Sequence, residues 1–204
     1  LNLSSAGNLI GEIQELRWGA PADDSREQYL RVTPAERQKV MERFLSGFFS
    51  NFTLMSASVS NLEEYDQSLL FNYKVAVEGY AKSAGNLLIV RPRVVGGKGS
   101  SLLAGKPRKY AWEFHETTRQ DDVFDITLPA GYVVDELPQP VQAKCDYATY
   151  KSAVEVKDNV LHYKRTYEIT DLVVPTQKLG EVRDFFHQIA MDEKASAVLR
   201  RANP

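Results

Sequence analysis

Leu69-Leu70-Phe71-Asn72-Tyr73-Lys74-Val75-Ala76-Val77 decides the fold class of this chain. Leu69, Phe71, Tyr73, Val75 and Val77 are apolar at every second position, and Asn72, Lys74 and Glu78 alternate with them. A period of two puts the first set on one face of a strand and the second set on the other, so the stretch reads as a half-buried β-strand. The same reading spreads outward. Ala84-Gly85-Asn86 is turn chemistry leading into a strand at Leu87–Val90, and Arg108–Phe114 and Val123–Leu128 read as two more strands joined by the polar loop Glu116–Asp122. Tyr150, Ser152, Val154 and Val156 alternate up to Asp158-Asn159, a hairpin signal. Leu161, Tyr163, Tyr167 and Ile169 then line one face of the return strand.

Helical periodicity is confined to two windows. Thr33-Pro34-Ala35-Glu36 supplies an N-cap, a proline suited to the first helical position and a glutamate that completes a capping box. Val40, Met41, Phe44, Leu45 and Phe48 follow as one apolar stripe, which predicts a helix over 34–50. Pro175-Thr176 opens a second, over 177–192, with Leu179, Val182, Phe185, Phe186 and Ile189 on its stripe. Gly19–Asp24 reads as a turn between β stretches at Asn8–Trp18 and Arg26–Val32. The chain is thus expected to be mostly β with some α, as antiparallel sandwich-like sheets with two main amphipathic helices. Two units of hairpin, helix and strand are suggested, over Asn8–Ser60 and Tyr147–Leu199. Residues 1–95 and 108–204 read as two modules, with the glycine-rich stretch 96–107 as linker or loop. One continuous domain is the alternative.

Composition narrows the function classes. The 204 residues suffice to bury about 70% of the unfolded surface, in one large core or two small ones. The 25 basic and 27 acidic residues leave a net charge of −2 with no basic footprint for nucleic acid. No apolar run approaches the roughly 20 residues of a membrane span. A single cysteine excludes an internal disulfide. Leu1 in place of an initiating methionine leads us to expect a fragment or a processed product.

Motifs that could carry chemistry fail on physical grounds. Gly99–Lys106 imitates a phosphate-binding loop, but five residues separate Gly99 from Gly105 where four are needed, and Pro107 stands where a Mg²⁺-binding hydroxyl belongs. Cys145, His162 and Asp171 follow the chain order of a thiol triad. A nucleophilic cysteine needs a helix N-terminus or a cationic partner to stabilise its thiolate, whereas Lys144-Cys145-Asp146 sits in a predicted strand with a carboxylate adjacent. His162 falls on the strand face shared with Lys164, Thr166 and Glu168, which reads as solvent-facing. His115 and His187 have no metal spacing with it, and the acidic pairs at Glu63-Glu64 with Asp66 and at Asp121-Asp122 read as loop charge rather than a calcium site. No catalytic residue, metal or cofactor is expected. Trp112, His115 and Arg119 form a candidate binding patch if Glu116–Asp122 is a loop beside them.

Several segments together resemble a known family. They are Arg108-Lys109-Tyr110 with Phe114, Asp125-Ile126-Thr127-Leu128-Pro129-Ala130-Gly131-Tyr132, Leu137-Pro138-Gln139-Pro140, and Val174-Pro175 followed by Leu179, Val182, Arg183, Phe185 and Phe186. The cassette is similar to the C-terminal region of bacterial proteins that carry an N-terminal β-domain of unknown function and then a transglutaminase-like domain. The resemblance runs from about Arg108 to Leu199, and more loosely over Gly7–Val95. It implies that the Cys-His-Asp machinery lies in a papain-like domain upstream, the expected partner of this stretch within one chain. It also implies a non-catalytic accessory role; the residues themselves leave as alternatives a polypeptide- or glycan-binding module, through an exposed aromatic patch or strand edge, and a cysteine hydrolase or transferase built on Cys145. Full-length members look exported or membrane-associated, which points to the periplasm or cell envelope.

Overall fold

The computed structural model describes residues 1–98 and 109–202. Among the described residues, strand accounts for 44% and helix for 21%, which makes the protein mostly β, with antiparallel pairing. It divides into two compact units, Leu1–Lys82 and Ser83–Pro204. The glycine-rich stretch therefore lies within the second unit, and Gly99–Pro107 lies outside the described residues. The boundary falls earlier than 95 because the strand at Leu87–Val90 pairs with the C-terminal strand of the second unit.

The first unit has the order β1 (Asn2–Leu3), β2 (Leu9–Arg17), α1 (Ala20–Leu30), α2 (Pro34–Ser46), β3 (Phe52–Ser60) and β4 (Leu69–Val77). Its strands lie side by side as β1-β2-β4-β3. β4 occupies the residues that the alternation marks, and Leu69, Phe71, Tyr73, Val75 and Val77 are all buried. The helices cover that face: Tyr29 of α1 meets Phe71 at 5.2 Å between ring centroids, and Phe44 of α2 stacks on Tyr73. The capping box of α2 forms as expected, with the Thr33 hydroxyl accepting from Glu36 N–H and the Glu36 carboxylate accepting from Thr33 N–H at 2.9 Å.

α1 replaces the turn and strand expected between Gly19 and Val32. Gly19, at φ 58°, and Pro21 start it without a side-chain cap. Its buried positions are Ala22, Ser25, Arg26 and Tyr29. That spacing is helical, but a serine and an arginine sit in the buried stripe, so no apolar period marks the helix in the sequence. The expected twofold pattern of hairpin, helix and strand consequently holds only for the second stretch, since a helix stands where the first would need its return strand.

The second unit comprises β5 (Lys82–Ala84, which spans the division), β6 (Leu87–Val90), β7 (Trp112–Glu113), β8 (Thr118–Thr127), β9 (Tyr132–Glu136), β10 (Val141–Cys145), β11 (Ala148–Lys157), β12 (Val160–Ile169), β13 (Val173–Val174), a 3₁₀ turn at Thr176–Lys178, α3 (Leu179–Asp192) and β14 (Ala197–Arg201). Within it run one ladder β10-β11-β12-β8, a second β5-β6-β14-β9, and the short pair β7-β13. Asp158 and Asn159 both take positive φ (50° and 62°), the geometry of a tight hairpin turn between β11 and β12. α3 lays Leu179, Val182, Phe185, Phe186 and Ile189 on Ala143, Cys145, Ala148, Tyr150, Tyr167 and Ile169 of the sheet. β8 starts at Thr118, so Glu116–Asp122 is largely strand rather than loop. Its polar residues point alternately outward (Arg119, Asp121) and inward (Gln120, Asp122), and the inward charge is paired rather than solvated.

Candidate functional site

The densest polar chemistry in the second unit is a buried ion cluster. Arg165 falls on the inward face of β12, between Tyr163 and Tyr167, and its side chain is fully buried. Its Nε donates to Asp122 Oδ2 at 2.6 Å, its Nη2 also contacts that carboxylate, and its Nη1 donates to Glu193 Oε1 at 3.0 Å. Glu193, one residue past α3, accepts the Lys98 backbone N–H at 2.5 Å, and Arg93 Nε stands 4.0 Å from the same carboxylate. Arg93 Nη1 donates to Val95 O, and Lys98 lies over the Tyr167 ring. Gly96, at φ 78°, lets the backbone pass against Arg165 and Gln120, where a Cβ would fall 3.1 and 3.3 Å from their terminal nitrogens. The cluster thus fastens the 93–98 segment to the sheet and to the end of α3. Burial pushes the Asp122 carboxyl above the ordinary range, and Arg165 opposes the shift.

Next to it, Tyr150 O–H donates to Asp192 Oδ2 at 2.5 Å. Desolvation raises the Tyr150 hydroxyl far above its usual value, with Tyr163 and the Asp192 carboxylate adding to the effect. Tyr163 and Tyr167 are each pushed up to about 12, again mainly by desolvation. These phenols stay protonated at neutral pH, and Tyr150 acts as a fixed donor to Asp192.

The three residues of the thiol triad do not meet. Cys145 pairs with Ala148 across β10 and β11, and Ala148 pairs with Ile169 on β12. His162 lies seven residues back along β12 from Ile169; at roughly 3.3 Å per residue, that is about 23 Å along the strand. Cys145 is buried, and desolvation raises its thiol pKa; the backbone N–H groups of Tyr147 and Ala148 pull it down, while the Asp146 and Glu181 charges add to the rise. His162 is half-exposed on the outward face, with Nδ1 2.7 Å from Asp125. Asp171 takes the Val173 backbone N–H.

The candidate patch residues are turned to different surroundings. Trp112 pairs with Val174 in the β7-β13 ladder, is half-buried and packs against the α3 core and Phe114. His115 is exposed. Arg119 projects outward from β8 and bridges Asp121 at 2.8 Å. The Asp121-Asp122 pair is divided between the two faces of β8, Asp121 accepting from Thr166 and Arg119. Among the described residues, no cluster of three or more metal-ligating side chains forms, and no helix is long and apolar enough to cross a membrane.

The first unit has its own buried cation. Arg26, 3% exposed, donates to the backbone carbonyls of Asn61, Glu64 and Gln67, and Tyr65 stacks on its guanidinium. The β3–β4 loop is thereby held through its backbone. Nearby, Arg17 bonds Glu15 and Ser25 and lies 4.6 Å from the Phe71 ring centroid. Glu15 and Arg17 bring charge onto the helix-covered face of β2. Their signal in the sequence was only a break in the apolar alternation.

The fold and these clusters define an antiparallel β-module in which buried charge serves as a fastening. The profile of the family described as "Domain of Unknown Function with solved-structure structure (DUF3858)" matches residues 86–199, more than half of the chain. The chain belongs to that family, and the matched region runs from the β5–β6 turn to β14 of the second unit. Among solved structures, a "putative protease" from Parabacteroides distasonis ATCC 8503 is similar at 12% identity and a TM-score of 0.48, over 58% of this chain and 24% of that one. This chain therefore spans about a quarter of that protein's length. No curated protein matches.

Proposed function

We propose that this chain is a non-catalytic accessory module of a larger envelope protein, in which it stabilises or orients a transglutaminase-like domain upstream. The observation that carries the reading is the isolation of Cys145. Its thiol is buried, its pKa is raised, and the register puts about 23 Å of strand between its end of the sheet and His162. Thiol chemistry of the kind found in the proteins that the cassette resembles needs a stabilised thiolate beside a base. That chemistry is assigned here to the neighbouring domain. The Arg165 cluster fits the same reading, because paired buried charge fixes the shape of the module and leaves those groups engaged.

The test compares the full-length protein with a version lacking residues 1–204, in bacterial fractions and after purification. Loss of solubility, or a lowered unfolding temperature of the remaining domain, supports the accessory role, as does recovery of both in the periplasmic fraction when the module is present. Unchanged stability and unchanged turnover in the shortened protein would overturn it. So would amidase, protease or transglutaminase activity of the module alone that is abolished by Cys145→Ala.

A further inference from the structure

Strands that end a sheet carry unpaired backbone donors and acceptors, and proteins normally blunt them with charge, proline or brevity. Three such strands in the second unit follow that rule. β5 has three residues, one of them Lys82; β10 has five, with Lys144 among them and Pro138 and Pro140 just before; β9 has five and ends in Asp135-Glu136. β3 does not follow it. This strand ends the sheet of the first unit over nine residues, Phe52-Thr53-Leu54-Met55-Ser56-Ala57-Ser58-Val59-Ser60, with no charge and no proline. Its one protective device is a bulge between Leu54 and Ser56, which leaves Ser56–Ser60 in regular register with β4.

We propose that the β3 edge is a homodimer interface, in which β3 pairs antiparallel with β3 of a second copy about a twofold axis at Ser58. The sequence of the edge selects this occupant. With the axis at Ser58, Ser56 lies opposite Ser60 of the second copy, Ser58 opposite Ser58, and Ala57 opposite Val59. On the outward face, exposed serines then meet serines, which can exchange hydroxyl hydrogen bonds across strands. On the other face, the half-buried Ala57 and Val59 cover each other. A twofold contact must be complementary to itself, and an uncharged strand of alternating small polar and apolar residues satisfies that without like-charge repulsion. The sheets that the two β3 strands end become one continuous sheet.

The chain is tested by sedimentation equilibrium from about 10 µM to about 500 µM, the range for a weak edge contact. The expected result is a mass rising from 23.0 kDa toward twice that value. Ser58→Lys and Ser58→Glu, each on an exposed outward position, should both stay monomeric with unchanged circular dichroism, because each places like charges opposite each other. An equimolar mixture of the two should recover the dimer. A mass of 23.0 kDa throughout overturns the proposal, as does Ser58→Lys assembling like the wild type or a mixture that stays monomeric. If either variant misfolds, amide exchange of the wild type decides. Protection of Ser56–Ser60 must grow with concentration, and exchange independent of concentration refutes the interface.

Discussion

Replacing Arg165 with methionine should separate a buried fastening from a chance ion pair. The guanidinium is fully buried and holds two carboxylates, Asp122 at 2.6 Å and Glu193 at 3.0 Å. Arg165→Met removes the cation and leaves both anions in place; Glu193 keeps the Lys98 N–H and Arg93 nearby, whereas Asp122 loses its two closest donors. Breaking a buried pair from one side costs about 3–5 kcal/mol, most of it from the charge left unpaired. For a unit of this size that corresponds to a fall in Tm of roughly 10–20 °C. The loss carries a pH signature. Burial already raises the Asp122 carboxyl, and without Arg165 the rise is larger. A carboxyl whose folded pKa lies above its unfolded value contributes stability when protonated, and that contribution is lost as pH climbs from the unfolded value, near about 3.9, through the folded one. The deficit of the variant should therefore be greatest at neutral pH and shrink as pH is lowered toward 4. Urea unfolding at several pH values measures it, with Trp112 as the reporter in the second unit once Trp18 is changed to Phe. A deficit under about 1 kcal/mol at pH 7, or one that does not shrink in acid, would refute the reasoning.

Four further outcomes are expected. Phe185, 1% exposed in the centre of the α3 core, should cost about 3–5 kcal/mol on truncation to Ala, measured by the same unfolding curves. Gly96→Ala should cost more than Gly131→Ala although both glycines sit at φ 78°, because only Gly96 has neighbours within contact range of a new Cβ; paired thermal melts isolate that difference. Above pH 10 the raised hydroxyls of Tyr163 and Tyr167 mean that stability, complete below the unfolded value, declines as pH rises toward about 12, so the share of phenolate absorbance owed to these two, isolated by difference against their Phe variants, should appear together with unfolding and not before it. Cys145 should react with a disulfide reagent more slowly than a free thiol at pH 7 and reach the free rate only in denaturant; a native rate equal to or above that of a free thiol would contradict its burial.

What the sequence made legible was apolar period. β4 lies on the residues that the alternation marks, β6 follows the turn at Ala84-Gly85-Asn86, and α2 begins at the capping box, because these elements are built on local signals. The helix predicted over 34–50 ends at Ser46, with Gly47 capping it. What was hidden was buried charge. Arg165 interrupts the apolar face of β12, Asp122 makes the start of β8 look like a loop, and Ser25 with Arg26 disguises α1. Each looks solvent-bound in the sequence because its partner is remote: Glu193 stands 28 residues from Arg165, and the carbonyls held by Arg26 are 35 to 41 residues away. No local period encodes a pairing of that range. The patch around Trp112 illustrates the converse, since an aromatic near polar residues reads as surface until its strand is seen to pack on α3.

Arg26 grips the β3–β4 loop by its main-chain oxygens, and this frees the loop from its own composition. Glu63, Glu64 and Asp66 are exposed and take no side-chain part in holding its shape, while Asn61, at φ 64° with its amide on Ser68 O, and the buried Leu62 anchor one end. The loop is thus a display frame. Foreign residues placed at 63, 64 and 66 would inherit a conformation set from the helix beneath, so related chains can diverge in these positions, and engineered ones can be diversified there, without renegotiating the backbone.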